Sequence, residues 1–276
     1  MVKLSLRRLF HVERRVSSLY NRPEGEKEKM LNLSGTFTFS DQYLKALHML
    51  TILAIGPHPD DVEGGMGGSI LKFVRLGYSV HVLDLTNGEP TPHGSPETRQ
   101  KEWEQSSAML GVKSRTVLNL PNRYLMDSIE ARKKVAAVIR KIQPQILFLP
   151  YWIDAHPDHI QTTQIGEAAR FYAKLTKSDI PGEPCYPAHI FYYLCSHLRV
   201  HVTPSFILDI SKEFEKKLQA AWCYQSQFAY DEARWKYISN SLTAQNQYYG
   251  NLIRVGYGEP FMSREQVGLE DIRDII

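Results

Sequence analysis

Four residues just after the first long apolar run of the chain could bind a metal ion or move a proton. His58, Asp60, Asp61 and Glu63 fall within six positions in the stretch HPDDVE, directly after the segment ILAIGP. Three carboxylates packed this closely repel one another unless a positive charge lies among them. A bound cation would supply that charge, and it would also make a nearby water molecule reactive.

A second motif, HPDH, offers three further candidates, His156, Asp158 and His159. A catalytic zinc usually takes three protein ligands from His and carboxylate side chains and keeps one position for water. Either motif alone is a weak signal, since a lone PDD is most often a solvated turn or a helix cap, and a loop histidine is most often a surface residue. Together, the two motifs predict one catalytic metal ion held between two loops.

The elements that must position these motifs alternate along the chain from Thr51 onward. Short β-branched runs predict strands, and the longer segments between them predict helices. This alternation is typical of βαβ units, so we expect an α/β fold with a Rossmann-like, mostly parallel sheet and helices on both faces. The predicted strands are residues 51–56, 79–86, 115–121, 145–150, 189–194 and 205–211, and the predicted helices are residues 67–77, 97–111, 128–142, 212–228 and 231–250, with a loop at residues 257–263.

Both motifs follow predicted strands of this sheet. HPDD comes after the strand at residues 51–56, and HPDH comes after the strand at residues 145–150. In open α/β sheets, ligands bind beyond the carboxyl ends of the strands. We therefore expect the two motifs to lie on the same rim, where they can close around a single ion.

The glycines that follow HPDD favour an alternative, because a Gly-rich turn between a strand and a helix is where the pyrophosphate of a dinucleotide binds. The stretch GGMGGSI does not satisfy G-x-G-x-x-G, since Ile70 stands where the last glycine belongs. The acidic motif would also repel phosphates. We interpret the glycines as letting a helix lie close to the sheet. The chain has no G-x-S-x-G elbow either, so a nucleophilic serine hydrolase is not supported.

The charge distribution argues against a nucleic-acid partner. The chain of 276 residues has a net charge of +3, but residues 1–48 hold nine Lys and Arg against five Asp and Glu, which leaves 24 against 25 in the remainder. The main body is therefore about neutral and lacks a basic footprint. We expect an N-terminal extension at residues 1–48 and a single domain at residues 49–276.

Cysteine use and hydropathy predict a cytoplasmic protein. The three cysteines, Cys185, Cys195 and Cys223, are widely spaced and form no CxxC pair, as is usual for reduced thiols. The sequence has no run of about 18 apolar residues, so no membrane span is expected. The N-terminal segment interrupts its apolar residues with arginines, unlike a secretory signal peptide.

The two motifs resemble those of the LmbE-like, or PIG-L, zinc-dependent N-acetylglucosaminide deacetylases. The signature of that family is a (P/A)HPDD motif after the first strand and an HPDH motif after a later strand, which here read PHPDDVE and AHPDHI. The resemblance runs from about Leu50 to the C-terminus and includes the TNGE turn, the pair Arg99 and Glu102, and the YGEPFMSRE tail. Within the family, the chain is most similar to the deacetylases of bacillithiol biosynthesis.

The resemblance implies a Zn²⁺ cofactor and a set of ligands. His58 and Asp61 match the first two zinc ligands, and His159 matches the third. Asp60 matches the general base. These residue types suit amide cleavage. The metal polarises the carbonyl group and activates a water molecule, and a carboxylate can take the proton of that water as it attacks.

The resemblance also implies roles for three further residues. His156 matches the histidine that stabilises the oxyanion or protonates the leaving amine, with Asp158 beside it as its orienting partner, which would favour the charged imidazole. Arg99 matches the arginine that reaches towards the acetyl group or the released acetate. A surface ion pair between Arg99 and Glu102 is the simpler alternative for this arginine. Separately, Glu63 is expected either to hold a ligand histidine in position or to cap a helix.

One departure from the family bears on the substrate. The bacillithiol-type enzymes carry an arginine directly before HPDH, suited to a malate carboxylate, whereas this chain has Ala155 there. The resemblance implies a small amino-sugar substrate, which leaves a malyl glucosaminide, another glucosaminide or a chitooligosaccharide open, and it implies a homo-oligomer. The alternatives are an N-acyl hydrolase acting on a non-sugar metabolite and a non-catalytic zinc-dependent binding protein; the presence of Asp60 favours an enzyme.

Overall fold

A seven-stranded mixed sheet forms the centre of the protein. The structure, a computed structural model, describes residues 50–268, so the predicted N-terminal extension lies outside the described residues. The strand order is β3-β2-β1-β4-β5-β7-β6, in which β7 is antiparallel to β5 and β6 and the other pairs are parallel. The strands are β1 (Thr51–Gly56), β2 (Ser79–Asp84), β3 (Ser114–Val117), β4 (Ile146–Pro150), β5 (His189–Tyr193), β6 (Phe206–Asp209) and β7 (Gly258–Met262).

Helices cover both faces of the sheet, as predicted. One apolar cluster joins Leu53 and Ile55 of β1 to Val135 and Ile165, and the other joins Ile52 of β1 to helix residues on the opposite face. Within residues 50–268, no helix combines the length and apolar character that crossing a bilayer requires. The helices are α1 (Asp61–Arg75), α2 (Pro96–Leu110), α3 (Ile129–Ile142), α4 (Pro157–Ala173), α5 (Phe214–Trp222), α6 (Gln225–Phe228) and α7 (Glu232–Leu252).

The sheet order places the two motifs side by side. After β3 the chain returns to the other side of β1, so β1 and β4 are neighbours although they are far apart in sequence. Such a switch point opens a crevice at the carboxyl ends of the two strands. HPDD follows β1 and HPDH follows β4, so both lie at this crevice.

Two predicted elements were wrong. Residues 257–263 were expected to be a loop because they contain Gly258, Glu259 and Pro260, yet Gly258–Met262 forms β7. Only Phe261 and Met262 pair with β5, so the missing N–H of Pro260 costs no hydrogen bond with that strand. The predicted helix at residues 212–228 is divided into α5 and α6, and the buried side chain of Tyr224 occupies the break.

The glycines after HPDD lie inside α1, which begins at Asp61, earlier than predicted. A Cβ atom added at Gly65 would lie 2.3 Å from the ring of Tyr193, and one at Gly68 would lie 2.7 Å from Ile210. Larger residues would therefore push the helix away from the sheet. This confirms the interpretation that the glycines allow close packing.

Helix α1 is broken at Met66, where φ is −144°, and Glu259 of β7 caps the segment that follows. The carboxylate of Glu259 accepts hydrogen bonds from the N–H groups of Gly68 (3.0 Å) and Ser69 (2.6 Å), and it also receives one from the fully buried Nζ of Lys217 at 2.6 Å. Three donors thus depend on one buried carboxylate.

We expect Glu259→Ala to lower the free energy of unfolding by roughly 3–5 kcal/mol, because it leaves the Lys217 charge buried without its partner. Urea denaturation of the metal-loaded protein measures this loss. The matched control is Glu265→Ala, which removes an exposed partner of Arg170 and should cost at most ~1 kcal/mol. Equal losses in the two variants would contradict the expectation.

Candidate metal centre and active site

The structure brings the three predicted metal ligands together. Asp61 begins α1, His58 lies just before it, and His159 lies in the first turn of α4. Oδ2 of Asp61 is 3.0 Å from Nδ1 of His58 and 3.4 Å from Nε2 of His159. One donor atom from each residue lies within 4.8 Å of the other two. These distances suit three donors that share one ion.

The residues fit a metal ion because one nitrogen of each histidine faces Asp61 while the other lies next to a carboxylate. His58 contacts Asp158 through Nε2 at 3.1 Å, and His159 contacts Asp154 through Nδ1 at 2.7 Å. Nε2 of His159 is buried and has no hydrogen-bond partner among the described residues. Metal-binding histidines typically donate their second ring N–H to such a carboxylate.

The electrostatics of this cluster also favour positive charge. Burial opposes the charge on both histidines, but contacts with Asp158 and Asp61 raise the pKa of His58 to about 9. The charges of Asp61 and Asp154 raise the pKa of His159 well above its ordinary value despite its burial. Burial acts against the charge of Asp61 too, yet His159 and His58 hold its pKa well below the usual range. Positive charge among the carboxylates is thus favoured.

Two residues that touch the predicted ligands were not recognisable from the sequence. Asp154 lies two positions before HPDH, and this proximity to the motif is the one feature of the sequence that could have indicated a role. In the structure, its Oδ1 also accepts hydrogen bonds from the N–H groups of His156 (3.1 Å) and His197 (2.9 Å). Cys195 donates from Sγ to Oδ1 of Asp61 at 3.3 Å, which leaves Oδ2 facing the histidines. No motif marks Cys195 in the sequence.

We expect Asp154→Asn to weaken zinc binding by about 10- to 100-fold, because an uncharged amide orients the His159 ring less firmly and makes it a poorer ligand. Competition with a chromogenic zinc chelator measures the affinity. Asp209→Asn is the control, since the carboxylate of Asp209 bonds to Ser211 in a distant turn. An unchanged affinity in Asp154→Asn would show that this carboxylate does not support the ligand.

Asp60 lies beside the cluster in a strained conformation. Its φ of 127° is outside the regions that non-glycine residues usually adopt, so packing must hold it there. Nη1 of Arg99 donates to Oδ2 of Asp60 at 2.9 Å and to the carbonyl oxygen of Pro59 at 2.6 Å. Burial raises the pKa of Asp60 to about 7, with Arg99 opposing this and Asp61 adding to it. A carboxylate beside the predicted metal ligands is placed to act as a general base.

Arg99 is not a surface residue. Its side chain is 2% exposed and also lies 3.3 Å from Glu89, while Glu102 is farther away at 3.9 Å. The alternative of a surface ion pair is therefore wrong. Arg99 does line the cavity, but the guanidinium group is held by Asp60 and Pro59, which makes it a positioning residue for Asp60.

Asp158 does not orient His156 as predicted. Its carboxylate contacts His58 and accepts hydrogen bonds from the N–H groups of Arg123 (2.6 Å) and Leu125 (3.2 Å). His156 instead accepts the backbone N–H of Asp158 at 3.2 Å. The reason is that Asp158 lies in the first turn of α4, where its side chain meets the loop after β3. Burial, together with the charges of His58 and His159, lowers the pKa of His156 to about 4. His156 is therefore neutral near pH 7, contrary to the expected imidazolium.

Glu63 has neither of its two expected roles. Oε1 accepts hydrogen bonds from Arg115 (2.6 Å), Ser106 (2.8 Å) and Tyr224 (2.8 Å). Arg115 in turn forms a bidentate pair with Asp84 at the end of β2. This buried network ties α1 to β2, β3 and the break between α5 and α6, and so supports the floor of the site.

A cavity of about 240 Å³ opens above the cluster. Its floor contains the predicted ligands with Asp60, Arg99 and His156, and its walls include Arg123, Gln227 and Arg234 from loops and helix ends farther along the chain. All seven predicted site residues thus lie together: six line this cavity, and Asp158 contacts His58.

Comparison with known proteins identifies relatives of this chain. Residues 53–170 match the family described as PIG-L, GlcNAc-PI de-N-acetylase. The chain is 32% identical over 222 residues to the diacetylchitobiose deacetylase of Thermococcus kodakarensis, covering 75% of this chain and 80% of that protein.

Two solved structures share the fold. The conserved protein TT1542 from Thermus thermophilus superposes with a TM-score of 0.74 at 35% identity, covering 81% of this chain and 99% of that chain. The N,N'-diacetylchitobiose deacetylase of Pyrococcus horikoshii, solved with its inhibitor, superposes with a TM-score of 0.69 at 29% identity, covering 93% and 98%. The predicted fold class is therefore confirmed.

Proposed function

This chain belongs to the PIG-L family of deacetylases, and on that premise we propose that it removes the N-acetyl group from a small molecule that contains N-acetylglucosamine, using a zinc ion held by His58, Asp61 and His159. The observation that carries the proposal is the buried Nε2 of His159, which has no hydrogen-bond partner within residues 50–268 and faces Asp61 at 3.4 Å. The products would be acetate and a free amine.

The proposed mechanism assigns one task to each side chain at the site. When bound, the metal supplies a Lewis acid that polarises the acetyl carbonyl and lowers the pKa of water towards about 7. Asp60 accepts a proton from the attacking water. Arg99 holds Oδ2 of Asp60, so Oδ1 is the oxygen that takes this proton.

His156 is the proposed donor on the other side of the reacting amide. Because its Nδ1 accepts the backbone N–H of Asp158, the neutral ring carries its proton on Nε2. A neutral Nε2–H can donate a hydrogen bond to the oxyanion as it develops. The proton that the leaving amine needs comes from Asp60, which holds the one taken from the attacking water. This assignment replaces the charged imidazole that the family resemblance implies.

The position before HPDH limits the proposed substrate. Ala155 has no group that can pair with a carboxylate at that position, so a malyl glucosaminide of the bacillithiol type would need another cation to bind it. The similarity to diacetylchitobiose deacetylases supports a glucosaminide in the broader sense. Acetylated glucosaminides are therefore the first substrates to test.

The experiment is acetate release by zinc-reconstituted protein from N-acetylglucosamine, its malate glycoside and diacetylchitobiose. We expect release from at least one of the three, and loss of release after chelation that is restored by Zn²⁺. No release from any sugar, with one tightly held zinc per chain, would contradict the proposal. The alternatives would then be an amide of a non-sugar metabolite or a non-catalytic binding protein.

A further inference from the structure

Two arginines that line the cavity have guanidinium groups that pair with no carboxylate within the described part of the chain. Of the arginines that line this cavity, Arg99 is neutralised by Asp60 and Glu89, whereas no ion pair within residues 50–268 involves Arg123 or Arg234. Among the described residues, the only acidic ones that line the cavity are Asp60 and Asp61, on the floor. The wall therefore carries uncompensated positive charge.

Arg123 is exposed at the cavity, and hydrogen bonds from its backbone and its side chain position it. Its backbone is in the left-handed region, with φ of 66°, which is uncommon for a non-glycine residue and marks stored strain. The backbone N–H donates to Asp158, the carboxylate of HPDH, at 2.6 Å, and Nη2 donates to the carbonyl oxygen of Pro90 at 2.6 Å. The residue is thus anchored both to the metal-site motif and to the loop after β2.

Arg234, at the start of α7, also lines the cavity. Nε donates to the carbonyl oxygen of Gln227 at 3.4 Å, and the side-chain amide of Gln227 donates to Oγ1 of Thr91 at 2.9 Å. Thr91 follows Pro90, the residue that holds Arg123. A continuous chain of contacts therefore joins the two guanidinium groups along one side of the cavity.

We propose that Arg123 and Arg234 form an anion subsite, which binds a carboxylate or phosphate group on the part of the substrate attached to the amino sugar. This inference rests on the proposed function and names its substrate class as anionic glucosaminides. Guanidinium groups suit this task because they stay charged and can form two parallel hydrogen bonds to either anion. The subsite supplies the positive charge that Ala155 cannot provide.

The test compares three matched substrates with zinc-loaded protein: methyl N-acetylglucosaminide, its carboxymethyl counterpart and N-acetylglucosamine 1-phosphate. We expect kcat/KM to be about 10-fold or more higher for at least one anionic substrate than for the methyl glycoside, since a hydrogen bond to a charged group contributes that much. The carboxylate and phosphate arms tell which anion the subsite prefers.

Variants assign this preference to the two arginines. Arg123→Gln and Arg234→Gln should each lower the ratio of kcat/KM for the anionic substrate to kcat/KM for the neutral one, and the double variant should bring this ratio to about one. The control is Arg254→Gln, at an exposed position outside the cavity lining, which should leave the ratio unchanged. A ratio near one in the parent protein would overturn the subsite while leaving the deacetylase function intact. Equal loss on all substrates in the arginine variants would overturn it as well. Absence of acetate release from every glycoside would instead contradict the proposed function.

Discussion

Replacement of Asp60 by Asn is expected to lower kcat for acetate release by about 10²- to 10⁴-fold, the range that one positioned acid or base contributes. Asn has nearly the same shape and can still accept the hydrogen bond from Arg99, which binds Oδ2 in the parent protein. What it cannot do is take a proton from water. The loss should therefore appear in kcat, with little change in KM for the glucosaminide.

The control for this variant must show that the metal and the fold remain. Zinc content by elemental analysis and the urea midpoint should match those of the parent, since Asp60 is not one of the three proposed ligands. Asp179→Asn serves as the matched substitution, because Asp179 forms an exposed pair with Lys133. If Asp60→Asn retains more than about a tenth of the parent kcat with full zinc, another group is the base.

The fold was predictable because its signals are local and repeated. Strands β1, β2 and β4 are short segments rich in buried aliphatic residues, and helical segments separate them, so the parallel sheet follows from the pattern alone. Strand β7 was not predictable in this way. Gly258, Glu259 and Pro260 have low strand propensity, and only pairing with β6, at positions far away in sequence, makes them extended.

The residues of the site were predictable, but their partners were not. HPDD and HPDH mark the cluster because both motifs follow strands that end at the same crevice. Which side chain meets which depends on packing. Asp158 was expected beside His156, yet it contacts His58 across 100 positions of sequence, and Glu63 meets Arg115 and Tyr224 in place of a histidine.

Arg99 illustrates the same limit. The spacing of Arg99 and Glu102 is compatible with an exposed helical pair, and no local signal distinguishes that from a buried residue. In the structure, α2 packs so that Arg99 reaches back over the site to Asp60. Asp154 and Cys195 could not be recognised from the sequence for the same reason. Their importance comes from their positions in the fold, next to His159 and Asp61.

Replacement of a ligand histidine is expected to have the second large effect. It also distinguishes between two possible sets of metal ligands that share His159. His159 lies within reach of His58 and Asp61 on one side, and of Asp154 and His197 on the other. In the first set the metal would bind Nε2, and in the second it would bind Nδ1. We favour the first, because Nδ1 of His159 already contacts Asp154 at 2.7 Å and Nε2 has no partner among the described residues.

We therefore expect His58→Ala and His159→Ala each to reduce bound zinc from about one per chain to near zero and to abolish acetate release, because a tetrahedral catalytic site needs all three protein ligands. His197→Ala should keep its zinc, since the exposed His197 belongs only to the second set. Elemental analysis after dialysis against a weak chelator measures all three variants. Loss of zinc in His197→Ala with retention in His58→Ala would move the metal to the opposite side of His159. Asp60 would then no longer lie beside the activated water, so the mechanism would fail together with the ligand assignment.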